Sequence, residues 1–89
     1  FCLCAGRHDM PFEMPSIFGA EISNPMDFGQ LEDVAAEVLA EGTAPVMLYV
    51  TGMTAAVIAV VNMCSACGRK LTLMHYDRVS GDYLPQVVY

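Results

Sequence analysis

The spacing of apolar residues predicts an amphipathic helix in the first half of the chain. Apolar side chains recur at helical spacing over residues 28–41. They are Phe28, Leu31, Ala35, Val38 and Leu39. Acidic residues occupy most of the opposite face, and Gly42 marks the expected end of the helix. Asn24-Pro25 or Asp27 is the expected start, because these residue types are favoured at a helix N-terminus.

Two apolar runs in the middle of the chain predict a buried strand followed by a buried helix. Residues 45–51 are apolar without alternation, which is typical of a strand that a parallel sheet buries on both faces. Gly52 interrupts the run, and Thr54 is a suitable cap for a helix over residues 54–67 that ends at Gly68. That helix is apolar nearly all round, so it needs a second partner besides the sheet. This need favours a homodimer formed through residues 54–67.

The remaining segments complete a small α/β domain. Residues 1–5 predict a first strand, residues 70–76 another, and residues 83–89 an antiparallel return after a polar turn. Pro85 lacks an N–H group, so the last strand is expected at the sheet edge. We expect a single domain over residues 1–89 with a Rossmann-like, three-layer α/β fold. Its order is β-loop-α-β-α-β-β, with a mostly parallel sheet and a C-terminal antiparallel edge strand.

A long loop is expected between the first strand and the first helix. Residues 6–26 contain three prolines and two glycines and show no regular period. An extended piece is expected within this segment near residues 17–22. Loops of this length are uncommon in small domains and are usually functional or mobile.

Composition and charge limit the classes of partner and ligand that the chain can bind. Of the 89 residues, 55% are hydrophobic, which is more than a small monomer easily buries and supports a shared interface. The net charge is −6, so the chain lacks the basic stripe of proteins that bind long nucleic acids. A short anionic ligand remains compatible, because backbone N–H groups and one or two cations can hold it.

A membrane span is the alternative for the middle of the chain. Residues 46–67 carry no charge, and Arg69-Lys70 follow at once. The polar break at residues 51–54 argues against a span, because it divides the run into a β-branched half and an alanine-rich half. We therefore expect no membrane partner.

The four cysteines are interpreted as reduced thiols of a cytoplasmic protein. No signal-peptide pattern precedes Cys2 and Cys4. Cys64 and Cys67, followed by Gly68, have the spacing of a zinc knuckle or a redox pair. They end the predicted helix rather than open one, so packing is preferred, and no metal or cofactor is predicted.

The predicted carboxyl ends of the strands collect polar residues at one edge of the sheet, where open α/β sheets bind ligands. Gly52 permits close approach, and the helix N-terminus after it suits a phosphate or carboxylate. The Arg7 guanidinium is the expected phosphate clamp. The expected ligand-binding residues are Gly6, Arg7, Thr51, Gly52, Met53, Thr54 and Asp77. The alternative is that Gly52 only makes the turn, Thr54 only caps the helix and Asp77 only forms a turn.

Two histidines at the same predicted edge offer a catalytic alternative. His8 and His75 could act as general acid and base, because imidazole titrates near neutral pH. That pair would suit a metal-independent phosphodiesterase; otherwise each histidine is simply hydrogen-bonded. No Walker motif or GxGxxG motif is present, so ATPase and dinucleotide functions are unsupported.

From residue 45 onward the chain resembles the small Rossmann-like (CARF-type) proteins associated with CRISPR systems. The resemblance lies in a strand and an apolar helix joined by Thr51-Gly52-Met53-Thr54, a following strand with a terminal hairpin, and the turn Gly6-Arg7-His8. It implies a homodimer with a ligand cleft at the dimer axis, lined by residues 51–54 and 6–8. It also implies kinship with domains that sense or degrade cyclic oligoadenylates.

Three functions are therefore carried forward. The first is a homodimeric module that binds a small anionic ligand such as a nucleotide second messenger. The second is a phosphodiesterase, similar to ring nucleases, that uses His8 and His75. The third is a structural or interaction subunit that associates through residues 54–67.

Overall fold

The computed structural model describes residues 1–3, 14–19, 22–40 and 42–89. Its elements run in the order α1 (Phe28–Leu39), β1 (Val46–Val50), α2 (Thr54–Cys67), β2 (Leu71–Asp77) and β3 (Asp82–Val87). The described part of the chain is thus a small α/β domain with two helices and a three-stranded mixed sheet. This agrees with the α/β class that the apolar pattern predicts.

The sheet has β2 in its centre. β1 pairs with β2 in parallel, and β3 pairs with β2 antiparallel. Pro85 lies on β3, the edge strand, opposite Met74, as predicted. The Val88 N–H donates to the Leu71 carbonyl at 2.9 Å, so the alternate positions that include Pro85 face away from β2. Proline therefore removes an N–H group that would otherwise be offered to another strand.

Residues 1–3 extend the sheet beyond β1. Cys2 forms isolated parallel bridges to Tyr49 on one side and to Ser16 on the other. The Tyr49 N–H donates to the Phe1 carbonyl at 2.9 Å, and the Ile17 N–H donates to the Cys2 carbonyl at 3.0 Å. The first predicted strand and the predicted extended piece are thus seen only as short bridged segments. Residues 4–13, which include the start of the predicted loop, and residues 20–21 lie outside the described residues.

Both helices lie on the same face of the sheet. The strands contribute Val46 and Leu48 from β1, in register with Leu71 and Leu73 from β2, and residues two apart on a strand share a face. Side chains from both helices join them in one buried cluster, including Ala35, Leu39, Ala56, Val60 and Cys64. The helices also contact each other, which helices on opposite faces of a sheet cannot do. The described residues therefore form two layers, where three were predicted.

The prediction that residues 45–51 are buried on both faces of the sheet is confirmed only in part. Val46 and Leu48 are buried on the helix side, whereas on the opposite side Tyr49 is 7% exposed and Met47 is 48% exposed. The second flank of α2, for which the sequence suggested a second copy of the chain, is packed against α1. Each of the two apolar runs thus contributes only some of its side chains to the core.

The helix ends also differ from prediction in detail. α1 begins after Asp27, as expected, but it ends at Leu39 with Ala40 as its C-cap, before Gly42. Thr54 is the first helical residue of α2 and not its cap, because the N-cap is Met53. Gly68 ends α2 in the left-handed conformation with φ of 70°, as predicted.

Phe28 was assigned to the core-facing side of the first helix and is instead 55% exposed. It lies in the first turn of α1, where the helix is no longer covered by core side chains. Residues 46–67 form a strand, a turn and a 14-residue helix rather than one continuous helix. Within the described residues, no helix is long and apolar enough to cross a membrane.

Candidate ligand-binding groove

The junction between β1 and α2 has an unusual backbone. Gly52 has φ of 86° and Met53 has φ of 55°, so two successive residues are left-handed. A non-glycine residue in this region costs about 1–2 kcal/mol. Val50 pairs with His75, so the half-buried Thr51 and the rest of the junction lie at the edge where β1 and β2 end. The sequence predicted this arrangement of the strand ends.

The N-terminus of α2 has no side-chain cap. The N–H groups of Ala56 and Val57 both donate to the Met53 carbonyl, at 2.9 and 3.1 Å. Among the described residues, none accepts a hydrogen bond from the N–H of Thr54 or Ala55. These two donors lie at the positive end of the helix dipole, which favours a negative group.

The N-terminus of α1 is satisfied differently. The Asp27 carboxylate accepts a hydrogen bond from the Gln30 N–H at 3.2 Å, so this helix carries its own anionic cap. The first turns of both helices line one groove, through Phe28 of α1 and Thr54 of α2. The uncapped end of α2 is therefore the better anion site of the two.

A groove of about 480 Å³ separates the N-terminal halves of the two helices. It is lined by Met26, Phe28, Glu32, Thr54, Ala55, Ile58, Ala59 and Asn62. Phe28 and Ile58 form exposed apolar walls, and Ile58 is 53% exposed. The Asn62 side-chain amide donates to the Glu32 carboxylate at 3.2 Å, which places the polar side chains of the groove together. The groove thus runs from this pair to the first turn of α2.

The sequence did not reveal this groove. Phe28 was assigned to the core, and Ile58 was assigned to a dimer interface, because both fit an apolar helical pattern. The available signal was position: Phe28 follows the Asp27 cap directly and therefore lies in the first turn of α1. Among the predicted binding residues that the structure describes, Thr54 also lines the groove.

The predicted residues on β2 are engaged within the hairpin. The His75 ring Nε2 lies 2.8 Å from the Gln86 side-chain oxygen on β3. The Asp77 carboxylate accepts hydrogen bonds from the Val79 N–H at 3.1 Å and the Ser80 hydroxyl at 3.0 Å. These bonds, the backbone bond from Val79 first, hold the pKa of Asp77 below its ordinary value. Asp77 thus forms the turn, which was the alternative interpretation of this residue.

Three predicted site residues lie outside the described residues: Gly6, Arg7 and His8. Their convergence with Thr51 and His75 remains a prediction. The basic residues that are described offer little to an anion in the groove. Arg69 is buried and bonded to backbone carbonyls, and none of the basic side chains lines the groove.

The two cysteines of α2 face different surroundings. Cys64 is buried in the core, and Cys67 is exposed. Burial raises the pKa of the Cys64 thiol above its ordinary value. Across the described residues, no three His, Cys, Asp or Glu side chains are grouped so that they could hold a metal ion. The packing interpretation of Cys64 agrees with its place in the core.

The comparisons with known proteins add no function to this geometry. The chain matches no family model, no curated protein and no solved structure. Function is therefore inferred from the groove, the N-terminus of α2 and the charges around them.

Proposed function

We propose that this chain is a small binding domain whose α1–α2 groove holds a ligand with an apolar body and one anionic end. The observation that carries the proposal is the groove of about 480 Å³ that ends at Thr54 and Ala55, on the uncapped first turn of α2. An apolar surface and an unused set of anion donors thus adjoin one another. Small-molecule sites commonly combine these two features.

The anionic end of the ligand binds at α2. The N–H groups of Thr54 and Ala55 and the Thr54 hydroxyl offer three donors to a carboxylate or phosphate. The helix dipole adds favourable electrostatics of about 0.3–1 kcal/mol at an exposed position. The proposal keeps the predicted role of Thr54 and of the turn that Gly52 and Met53 form before it.

The apolar body of the ligand lies between Phe28 and Ile58. Each methylene buried there contributes about 0.8 kcal/mol, so the body supplies most of the affinity. The Glu32 carboxylate, bonded to Asn62, disfavours a second negative charge deeper in the groove. The ligand therefore binds in one orientation, with its charge at the α2 end.

A nucleotide belongs to this ligand class when its base serves as the apolar body and one phosphate as the anionic end. The resemblance to CARF-type proteins makes cyclic oligoadenylates natural members of a test panel. The predicted homodimer through residues 54–67 is not needed for the groove, because all lining residues belong to one chain. The phosphodiesterase alternative requires a mobile His75, whose ring is 2.8 Å from Gln86, so binding is preferred to catalysis.

Isothermal titration with matched probes tests the proposal. The probes are decanoate, decylamine, adenosine monophosphate, a cyclic dinucleotide and a cyclic oligoadenylate. We expect saturable one-to-one binding of at least one anion with an apolar body, and weaker binding of decylamine, which has the same chain length but cannot accept hydrogen bonds from the N-terminus of α2. Absence of binding across the whole panel, or equal binding of decylamine and decanoate, would refute the proposal.

Two substitutions test the two halves of the groove separately. Ile58→Asp places a charge on the apolar wall and should weaken binding at least tenfold, which corresponds to about 1.4 kcal/mol. Thr54→Glu should also weaken anion binding while raising the stability of α2 by about 0.5 kcal/mol, because it supplies a carboxylate at the helix N-terminus. Val79→Asp, at an exposed position in the hairpin turn, is the control and should bind like the parent chain. Unchanged binding in both groove variants would place the site elsewhere.

A further inference from the structure

The α1–α2 groove has opposite polarity at its two ends. The α2 N-terminus offers hydrogen-bond donors, the N–H groups of Thr54 and Ala55. The other end is lined by Glu32 and Asn62, which are joined by a hydrogen bond of 3.2 Å. Apolar side chains, Ile58 among them, lie between these ends. The groove is thus apolar in its middle, with donors at one end and a carboxylate at the other.

The hydrogen bond between Glu32 and Asn62 determines which atoms are left for a ligand. A carboxylate only accepts hydrogen bonds, so Asn62 directs its NH₂ group at Glu32 Oε2 and turns its amide oxygen away. Among the described residues, none donates a hydrogen bond to Glu32 Oε1 or to the Asn62 amide oxygen. This end of the groove therefore presents two acceptor atoms, and one of them belongs to a charged group.

The half-buried Glu32 carboxylate has no cation beside it in the described part of the chain. The described basic side chains do not line the groove. A ligand that covers Glu32 removes part of its hydration, and this loss is unfavourable unless the ligand supplies a partner. A purely apolar tail supplies none, whereas an ammonium group does. The carboxylate therefore discriminates between ligands by the group at their far end.

The helix geometry sets the distance between the two charged groups of such a ligand. Asn62 follows Ala55 by seven residues, which corresponds to about 10 Å along the axis of α2. On α1, Glu32 lies four residues after Phe28, so the two side chains are neighbours on one helix face. A ligand that contacts both ends must separate its charges by about this distance along an apolar chain. The chain of 10-aminodecanoate is long enough when it is extended.

We propose that the groove selects zwitterionic ligands, with an anion at the α2 end and an ammonium group at Glu32. This inference rests on the proposed function and narrows its ligand class. An ammonium group has three donors and no acceptor, which suits the two acceptor atoms at this end. The net charge of the chain is −6, and a ligand without net charge avoids the long-range repulsion that a simple anion meets.

The α2 end remains the main anchor of the ligand. Decylamine can contact only Glu32 and Asn62, and a single ion pair outside a buried core contributes little. Its ammonium group is also strongly hydrated in water. Decylamine therefore stays a weaker ligand than decanoate, and the ammonium group adds to the binding of a molecule that the anion already holds.

Isothermal titration with three ten-carbon acids tests the inference. Decanoate ends in a methyl group, 10-aminodecanoate in an ammonium group and decanedioate in a second carboxylate. We expect 10-aminodecanoate to bind about two- to fivefold more tightly than decanoate, the range of an exposed ion pair. Decanedioate should bind more weakly than decanoate, because its second carboxylate meets Glu32. If the ammonium group had no partner, its desolvation would make 10-aminodecanoate the weaker ligand.

Two matched variants separate a contact with Glu32 from the general attraction of an acidic chain for cations. Glu32→Gln removes the charge and keeps the shape of the side chain. It should abolish or reverse the preference for 10-aminodecanoate, while decanoate binds at least as tightly as it does to the parent chain. Glu37→Gln makes the same change in net charge at an exposed position of α1 outside the groove. This control should keep the preference of the parent chain.

Three results would overturn the inference. The first is 10-aminodecanoate binding no more tightly than decanoate to the parent chain. The second is an equal preference in Glu32→Gln and Glu37→Gln, and the third is no binding of 10-aminodecanoate at all. Binding of decanoate without a gain from the ammonium group would contradict this inference alone, and loss of binding across all anionic probes would contradict the proposed function as well.

Discussion

At the scale of single residues, Arg69 joins segments that are distant along the chain. Its guanidinium donates to the Leu39 carbonyl at 2.8 Å and twice to the Ala44 carbonyl, at 3.0 and 2.8 Å. The side chain is 8% exposed, so these bonds are shielded from water. The cation lies at the C-terminus of α1, where it complements the negative end of the helix dipole. Arg69 thus fixes where α1 ends.

Removing this side chain should destabilise the fold. Arg69→Met is expected to lower the free energy of unfolding by about 3 kcal/mol, because hydrogen bonds to a charged group contribute about 1.5–3 kcal/mol each and the carbonyls lose their donors. Arg69→Lys should lower the free energy of unfolding by less than Arg69→Met does, since an ammonium keeps the charge but lacks the planar fork of donors. Urea denaturation measures both. Lys70→Met, a change at the exposed neighbour, is the control, and equal losses at the two positions would contradict this role.

The sequence could not reveal the role of Arg69. It identified this residue only as a basic flank after the apolar helix, because its acceptors lie 25 and 30 residues away along the chain. Asp77 is the opposite case. Its partners Val79 and Ser80 are local, so a turn was already among the sequence-based interpretations. Local hydrogen bonds can be predicted from a single sequence, and long-range bonds to backbone carbonyls cannot.

At the scale of elements, the two helices differ in how well the sequence predicted them. The bounds of α2 agree with prediction, because Gly68 adopts the left-handed conformation that ends a helix. α1 ends at Leu39 rather than near Gly42. The hydrogen bond from the Arg69 side chain to the Leu39 carbonyl marks this end in place of the glycine signal in the sequence. The groove escaped prediction for a related reason: periodicity identifies an apolar helix face but not how much of it the neighbouring elements cover.

Two glycine substitutions should change stability in opposite directions. In both positions an added Cβ meets no atom within 4 Å, so the backbone conformation alone determines the change in stability. Gly29→Ala in α1 should stabilise the protein by about 0.5–1 kcal/mol, because alanine is the better helix former. Gly52→Ala should destabilise it by about 1–2 kcal/mol, because φ is 86° there. Chemical denaturation measures both, and changes of the same sign would contradict this account of the β1–α2 junction.

At the scale of the whole molecule, the sequence predicted the class and the order of elements more accurately than the layers. The parallel pair β1–β2, the antiparallel β3 and the edge position of Pro85 all agree with prediction. The third layer is absent from the described residues, because α1 packs beside α2 on one face. Residues 6–8, on which much of the predicted site depends, lie outside the described residues.

The donors at the uncapped N-terminus of α2 belong to a chain with a net charge of −6. The chain therefore repels an anion at long range, although these donors attract it at short range. Added electrolyte reduces the screening length from about 30 Å at 0.01 M to about 8 Å at 0.15 M. The association rate of decanoate should therefore rise as sodium chloride increases over this range, and that of decylamine should fall, as measured by stopped-flow mixing at each ionic strength. The same salt dependence for both probes would contradict this effect of the net charge.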